Sequence, residues 1–357
     1  MPPSEPRSSL RPIAASRDLS RREFLKAAGA AALAGGALPA LPGVARAGAA
    51  AATGAARPES LVAELYASLA AEQRRAICFP WDHVDPKLGL LRTRVGANWR
   101  ITEPALDGDF FRADQRALVR SIFEGITAPD WHERFDRQLE DDAGGFGRHQ
   151  AIALFGAPGD GDFEFVLTGR HMTLRCDGNS AEHVAFGGPI FYGHATGTWW
   201  SGGFIEKAAH PGNVFWHQAV AANGLFGMLD GRQREIALVE ELPEESAVPL
   251  QGAQGSFPGI PLAELSADQR EEAQRVLRTL LDPFRQSDRD EVVTALRAQG
   301  GLDRCSLAFY EEGDVGGDGV WDCFRLEGPA FVWYFRGAPH VHVWVHVADH
   351  PGVPLNS

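Results

Sequence analysis

Two periods of hydrophobic spacing run through this chain, and the switch between them occurs twice. After Ala113, the apolar residues Leu118, Ile122 and Phe123 recur at helical spacing; after Ala267, residues Ala273, Leu277, Leu280 and Leu281 do the same. Strand-like runs follow each helical stretch, Ala151 to Phe155 and Phe163 to Leu167 in the first case, Ser306 to Tyr310 and Val320 to Leu326 in the second. Between the runs lie segments rich in Gly and Asp, spanning Gly156 to Asp162 and Gly313 to Gly319, which predict hairpin turns. Each series therefore reads helix, helix, hairpin, further strand.

The two series also share words. Ala113-Asp114-Gln115-Arg116 recurs as Ala267-Asp268-Gln269-Arg270, and the Phe-x-Leu-x-Gly of Phe165 to Gly169 recurs at Phe324 to Gly328. Two matches in one order at nearly one offset predict an internal duplication, with residues 113–186 and 267–344 superposing as similar units. The expected fold is α+β, built from duplicated helix-plus-hairpin units with a mainly antiparallel sheet. Residues 58–357 would form a single domain, with lobes at about 58–239 and 262–350 sharing one core. The Pro-, Gly- and acid-rich stretch from Glu240 to Pro261 would link them. The Gln-Arg word appears twice more, at Gln73-Arg74 and Gln233-Arg234. Its arginines could form an anion clamp, but Ser266 to Gln269 has the form of a capping box, and helix-start capping is the favoured reading.

The N-terminus changes the picture of where the protein works. Ser20-Arg21-Arg22-Glu23-Phe24-Leu25-Lys26 is a twin-arginine signal, followed by an apolar run from Ala27 to Leu41 and a small-residue site at Ala45-Arg46-Ala47. Residues 1–47 are expected to be a cleaved signal peptide and 48–57 an Ala/Gly-rich leader. The partner implied is the twin-arginine export machinery, and the destination is periplasmic or secreted. That route carries folded proteins, which raises the prior for a cofactor loaded before export. No later stretch has 18 apolar residues, so no transmembrane span is expected in the mature chain. The formal charge is −13, and no basic patch interrupts it, which argues against nucleic acid as a partner.

Candidate chemistry narrows to histidine. The chain contains no Gly-x-Ser-x-Gly elbow, Walker loop, dinucleotide fingerprint, His-Glu-x-x-His or Cys-x-x-Cys. Of 12 histidines, His340, His342 and His346 fall on one face of a C-terminal strand, with Val341, Val343, Val345 and Val347 on the other. A His-x-His pair on a strand can present two imidazoles to one Zn, Cu or Fe ion if further ligands arrive from elsewhere, and His171 and His194 are the candidates. The competing reading is a structural strand face whose histidines are either solvated or hydrogen-bonded, for instance to carboxylates. On spacing, His346 and His350 should matter less than His340 and His342. Glu327 is the candidate general acid or base. His83-Val84-Asp85 reads as loop, and the Asp-Gly segments at Asp160 to Asp162 and Asp314 to Asp318 as turns rather than calcium sites. Trp199 and Trp200, beside Phe191-Tyr192 and Gly202-Gly203, could stack a planar ligand such as a sugar. Cys305 and Cys323 are equidistant from Asp314, which predicts that they face each other across a hairpin and form a disulfide, leaving Cys78 and Cys176 free.

Gly169-Arg170-His171, Pro189-Ile-Phe-Tyr-Gly193, Glu327-Gly328-Pro329-Ala-Phe331 and His340-Val-His342 together resemble an uncharacterised exported family, domain of unknown function 3500, over roughly Leu61 to Val347. The resemblance implies a location and a fold but no activity. Two departures stand out: the family's Gly-His-His is Gly-Arg-His at residues 169–171, and its Gly-Ala-Asn-Pro is Gly193-His194-Ala195-Thr196. If the family has a site there, this member has rearranged it.

Two functions follow from these observations. One is an exported metal-dependent enzyme, hydrolytic or oxidative, with the metal on His340, His342 and His171 or His194. The other is a non-catalytic extracytoplasmic binding protein for carbohydrate or a cell-envelope component, acting through Trp199 and Trp200.

Overall fold

A computed structural model of the chain describes residues 57–195, 210–245, 249–315 and 317–354. The first series comprises α1 (Pro58–Ser68), α2 (Ala71–Ile77), β1 (Cys78–Phe79), β2 (Val84–Asp85), β3 (Gly89–Leu90), α3 (Ala113–Ile126), α4 (His132–Ala143), β4 (Ala151–Gly156), β5 (Phe163–Gly169), β6 (Met172–Cys176) and β7 (Ile190–His194). The second comprises α5 (Trp216–Met228), α6 (Gly231–Ala237), β8 (Leu238–Val239), β9 (Ile260–Pro261), α7 (Ala267–Leu281), α8 (Gln286–Ala298), β10 (Ser306–Tyr310), β11 (Cys323–Gly328), β12 (Phe331–Arg336) and β13 (Val341–Val347).

All strands except the β2-β3 hairpin join one sheet in the order β1-β4-β5-β6-β7-β13-β12-β11-β10-β8, with β9 also on β10. Only β1 on β4 and β8 on β10 are parallel. The fold is thus α+β with a mostly antiparallel sheet. Phe165 on β5 and Phe324 on β11 each lie on the third strand from an edge, and β7 meets β13 at the centre with Ile190 opposite Val345.

Helix starts explain the repeated Gln-Arg word. Ser266 accepts the Gln269 amide while Gln269 Oε1 accepts the Ser266 amide, the reciprocal cap expected. Asp230 and Gln233 repeat it. The four glutamines then lock pairwise: Gln73 and Gln115 exchange two amide hydrogen bonds, as do Gln233 and Gln269. Arg74, Arg116, Arg234 and Arg270 donate to the backbone carbonyls of Tyr66, Phe111, Gly227 and Ala263. They are spread over four helix starts and form no clamp.

The sheet is covered on both faces. Helices supply one core, where Val62, Phe123, Leu139, Leu225 and Leu280 pack on Leu154, Leu167, Phe324, Trp333 and Val343. Phe123, fully enclosed and packed edge-on to Phe135, contributes about 2–3 kcal/mol by its burial alone. Loops cover the other face: Val95, Leu242 and Leu250 lie on Phe191, Tyr334 and Trp344, and Trp81 and Trp99 on Phe155 and Val166. The stretch from Glu240 to Pro261 is therefore more than a linker.

Several expectations change. Ser306 pairs with Glu327 and Phe309 with Phe324, which puts Cys305 beside Gly328 and Cys323 at the far end of the hairpin. The assumed turn centre at Asp314 was wrong because the connection is not symmetric about it; all four cysteines are free. Val84 and Asp85 pair with Leu90 and Gly89 instead of forming open loop. Residues 1–56, Trp199 and Trp200 lie outside the described residues. Among the described residues, no helix is long and apolar enough to cross a membrane.

Candidate metal centre

Strand alternation sets up the site. Val341, Val343, Val345 and Val347 point into the helix-side core, as their spacing predicted. His340, just before β13, and His342 and His346 on it turn toward the loop-covered face, but they are not solvated: their exposures are 4%, 8% and 1%. Burial overturns the solvated-face reading. His342 stands opposite Gly193 of β7. A Cβ at position 193 would collide with the Val341 carbonyl oxygen and touch the His171 ring, so glycine is required where this ring lies against the strand.

His171 occupies the tight β5-β6 turn with φ of 50°, a left-handed conformation that costs a non-glycine residue about 1 kcal/mol. Its amide donates to the Ala97 carbonyl, which helps hold the turn. The result is an imidazole whose Nε2 lies 3.1 Å from Nε2 of His342, while Nε2 of His340 lies 2.9 Å from the same atom.

Two carboxylates complete the set. Asp142 Oδ2 accepts from His171 Nδ1 at 2.6 Å, and Asp142 Oδ1 accepts from Arg170 Nε at 2.8 Å. Glu245 likewise bridges His342 Nδ1 and Arg336 Nη1, the latter at 2.6 Å. Asp142 lies in the last turn of α4, where the helix dipole disfavours a carboxylate. The helix ends at Gly144, whose φ of 73° is left-handed and whose amide donates back to the Glu140 carbonyl. Burial opposes ionisation of Asp142, but the hydrogen bond and charge of His171 and the charge of Arg170 hold its carboxyl below the ordinary range. Burial and the neighbouring histidines push His340 down to about 2, and burial with His171 and Arg336 pushes His342 well below its ordinary value. These imidazoles are therefore neutral.

The carboxylate partner fixes the tautomer of His342. With Nδ1 of neutral His342 donating to a carboxylate, its Nε2 carries a bare lone pair, which faces Nε2 of His171 and of His340. An acceptor this close to two other ring nitrogens meets either a proton carried by one of them or a metal ion between them. Nitrogens about 2.0–2.1 Å from one Zn ion would be about 3.0 Å apart at right angles and about 3.4 Å apart at the tetrahedral angle. The observed 2.9 and 3.1 Å lie close to the first figure. The residues present could hold a transition-metal ion.

His194 is not part of this set. It pairs with Val341 and so faces the helices, where Nε2 lies 2.8 Å from Asp141 Oδ2 and His210 Nδ1 lies 3.5 Å from the same oxygen. The reason is the two-residue period: Gly193 takes the metal-side position and the next residue must point away. Glu327 is buried in bonds to Arg325 and Gln251, opposite Val332, and does not line the cleft before the histidines. Asp142 and Glu245 were missed: the first sits in an acidic helix end, the second in the segment read as linker, and neither has a sequence motif.

The chain matches the family model described as a protein of unknown function (DUF3500) over residues 51–349. It belongs to that family. No curated protein and no solved structure matches it. In this DUF3500 chain, Arg170 holds the carboxylate that orients His171. The three imidazoles open onto a cleft of about 490 Å³, lined also by Asn98, Arg170, Arg336 and Pro339.

Proposed function

We propose that this protein is a metal-dependent enzyme in which His171, His340 and His342 hold one divalent transition-metal ion, three imidazoles being a donor set for zinc, copper or iron. The single observation that carries the reading is the convergence of three buried imidazole nitrogens, two of them on rings whose Nδ1 meets a carboxylate. Carboxylates behind ligand histidines raise their basicity and lock their orientation. The other two histidine groups are weaker candidates, because in each a carboxylate bonds directly to an imidazole, at 2.8 Å for Asp141 and His194 and 2.9 Å for Asp349 and His183. Three protein ligands facing a cleft leave a coordination position for water or substrate, the arrangement of catalytic rather than closed structural sites. A metal so placed would supply Lewis acidity and a bound water of lowered pKa.

The twin-arginine signal supports loading of the ion before export to the periplasm or medium. The strand order, which reads alike from both edges of the sheet, and the two locked glutamine pairs support a duplicated origin of the two series.

Elemental analysis of protein purified without chelators tests the metal reading. About one equivalent of a transition metal, lost in His342→Ala, is expected; a folded protein that neither contains nor takes up metal would sink it.

A further inference from the structure

Each carboxylate behind the histidines also binds an arginine. Asp142 joins His171 to Arg170, and Glu245 joins His342 to Arg336. Two His-carboxylate-Arg units thus open on one cleft from different elements, the β5-β6 turn and the β12-β13 end. The other lining residues are Asn98, Pro339 and His340; among the described residues no carboxylate and no Phe, Tyr or Trp ring lines the cleft. In a chain of net charge −13 this is an unusual lining, since every charged side chain in it is a cation.

We infer that the cleft binds a small oxyanion, a carboxylate or phosphate group of the substrate, between Arg170 and Arg336 and beside the metal. The inference deepens the metal reading and rests on it for the ion. Charge balance argues for it. The two carboxylates offset the two guanidiniums, and imidazoles ligate a metal in the neutral form, so a divalent ion leaves two uncompensated positive charges in a partly enclosed site. A buried excess of that size is costly unless an anion accompanies it. Guanidinium groups match carboxylate and phosphate oxygens with paired donors, and fixing each to a carboxylate removes much of its freedom before the ligand arrives. The cleft volume falls in the range of small-molecule sites. Linkage then follows: ion and anion should each strengthen the other's binding. Among the described residues a neutral sugar would meet no indole, phenol or phenyl ring here and only one amide.

The test is calorimetric titration of the metal-loaded full chain with acetate, inorganic phosphate and glucose, with metal content measured on every sample. Acetate or phosphate should bind and glucose should not; whichever anion binds tighter identifies planar or tetrahedral recognition. Arg170→Gln and Arg336→Gln should each weaken anion binding by roughly tenfold or more while the folded protein keeps its metal. Arg170→Lys and Arg336→Lys, which preserve the charge, should fold like the parent and retain part of the affinity. Anion affinity unchanged in both Gln variants, glucose binding as tightly as the anions, or no anion binding to stoichiometrically loaded protein would each overturn the inference while leaving the metal reading intact. If no metal is found, the metal reading fails, and arginine-dependent anion binding would still uphold the anion cleft.

Discussion

On the loop-covered face, two buried polar clusters are built by opposite rules. Around Glu164, which is fully buried, Arg92 donates at 2.8 Å and Arg175 at 2.7 Å; Arg175 also donates to the carbonyls of Pro189 and Arg94, and Arg92 lies on the Trp81 ring. Both guanidiniums there meet the one carboxylate between them. Around His342 the carboxylates lie at the back and the Nε2 atoms of three imidazoles converge. Burial is nearly the same in both. What separates them is whether the protein itself supplies the opposite charge, and only the cluster that does not calls for something from outside.

The largest effect should come from the open cluster. His340→Ala or His342→Ala is expected to abolish stoichiometric metal binding, whereas His350→Ala and His194→Ala should leave it intact; metal analysis of the four variants decides, and equal content in all would erase the contrast. Next comes the closed cluster. Glu164→Gln leaves two buried guanidiniums short of their counter-charge, and a loss of about 3–5 kcal/mol in urea unfolding is expected, with metal affinity per folded molecule unchanged. A loss under 1 kcal/mol would show that water reaches Arg175.

Asp142→Asn should be intermediate. It keeps the shape but removes the charge that orients His171, so metal affinity should fall about 10–100-fold, measured by competition with a chromophoric chelator. An unchanged affinity would show that Asp142 serves Arg170 alone.

A third cluster sharpens the comparison from the acidic side. Burial, together with the nearby Asp177 and Asp288, raises Glu291 from its ordinary 4.5 to about 7, against the lowering effect of the Phe186 amide and Arg285. The carboxyl is protonated in both folded and unfolded chains below about pH 4.5 and ionised in both above about pH 7. Between these values only the folded state holds the proton, so stability falls as pH rises through the window. Glu291→Gln should therefore be more stable than the parent at pH 8, by on the order of 2 kcal/mol, with the difference shrinking toward pH 5. The smallest effect is expected at a helix start, where Ser266→Ala loses the side-chain acceptor for the Gln269 amide and about 1 kcal/mol of stability.

Much of this architecture was legible along the chain. Capping at Ser266, the buried valine face of β13 and the two hairpins follow from local periods and turn residues, which act over a few residues and do not depend on the rest of the fold. Errors arose where a local rule was extended across space. The cysteine pairing assumed a symmetric turn, Glu327 was chosen for its sequence neighbourhood, and His194 was grouped with His171 although the strand period turns it to the opposite face.

The sequence by itself determined which residue types were available for chemistry and how they alternate: a His-x-His on a valine-backed strand, a histidine in a glycine turn, and repeated helix and hairpin units. Only the tertiary structure decided that β7 and β13 lie side by side, that Asp142 from a helix end and Glu245 from an irregular segment stand behind the imidazoles, and that two arginines share their cleft. Periodicity is a property of neighbours in the chain, whereas this site joins residues from 98 to 342 whose proximity is set by sheet order and by the loops folded over its face.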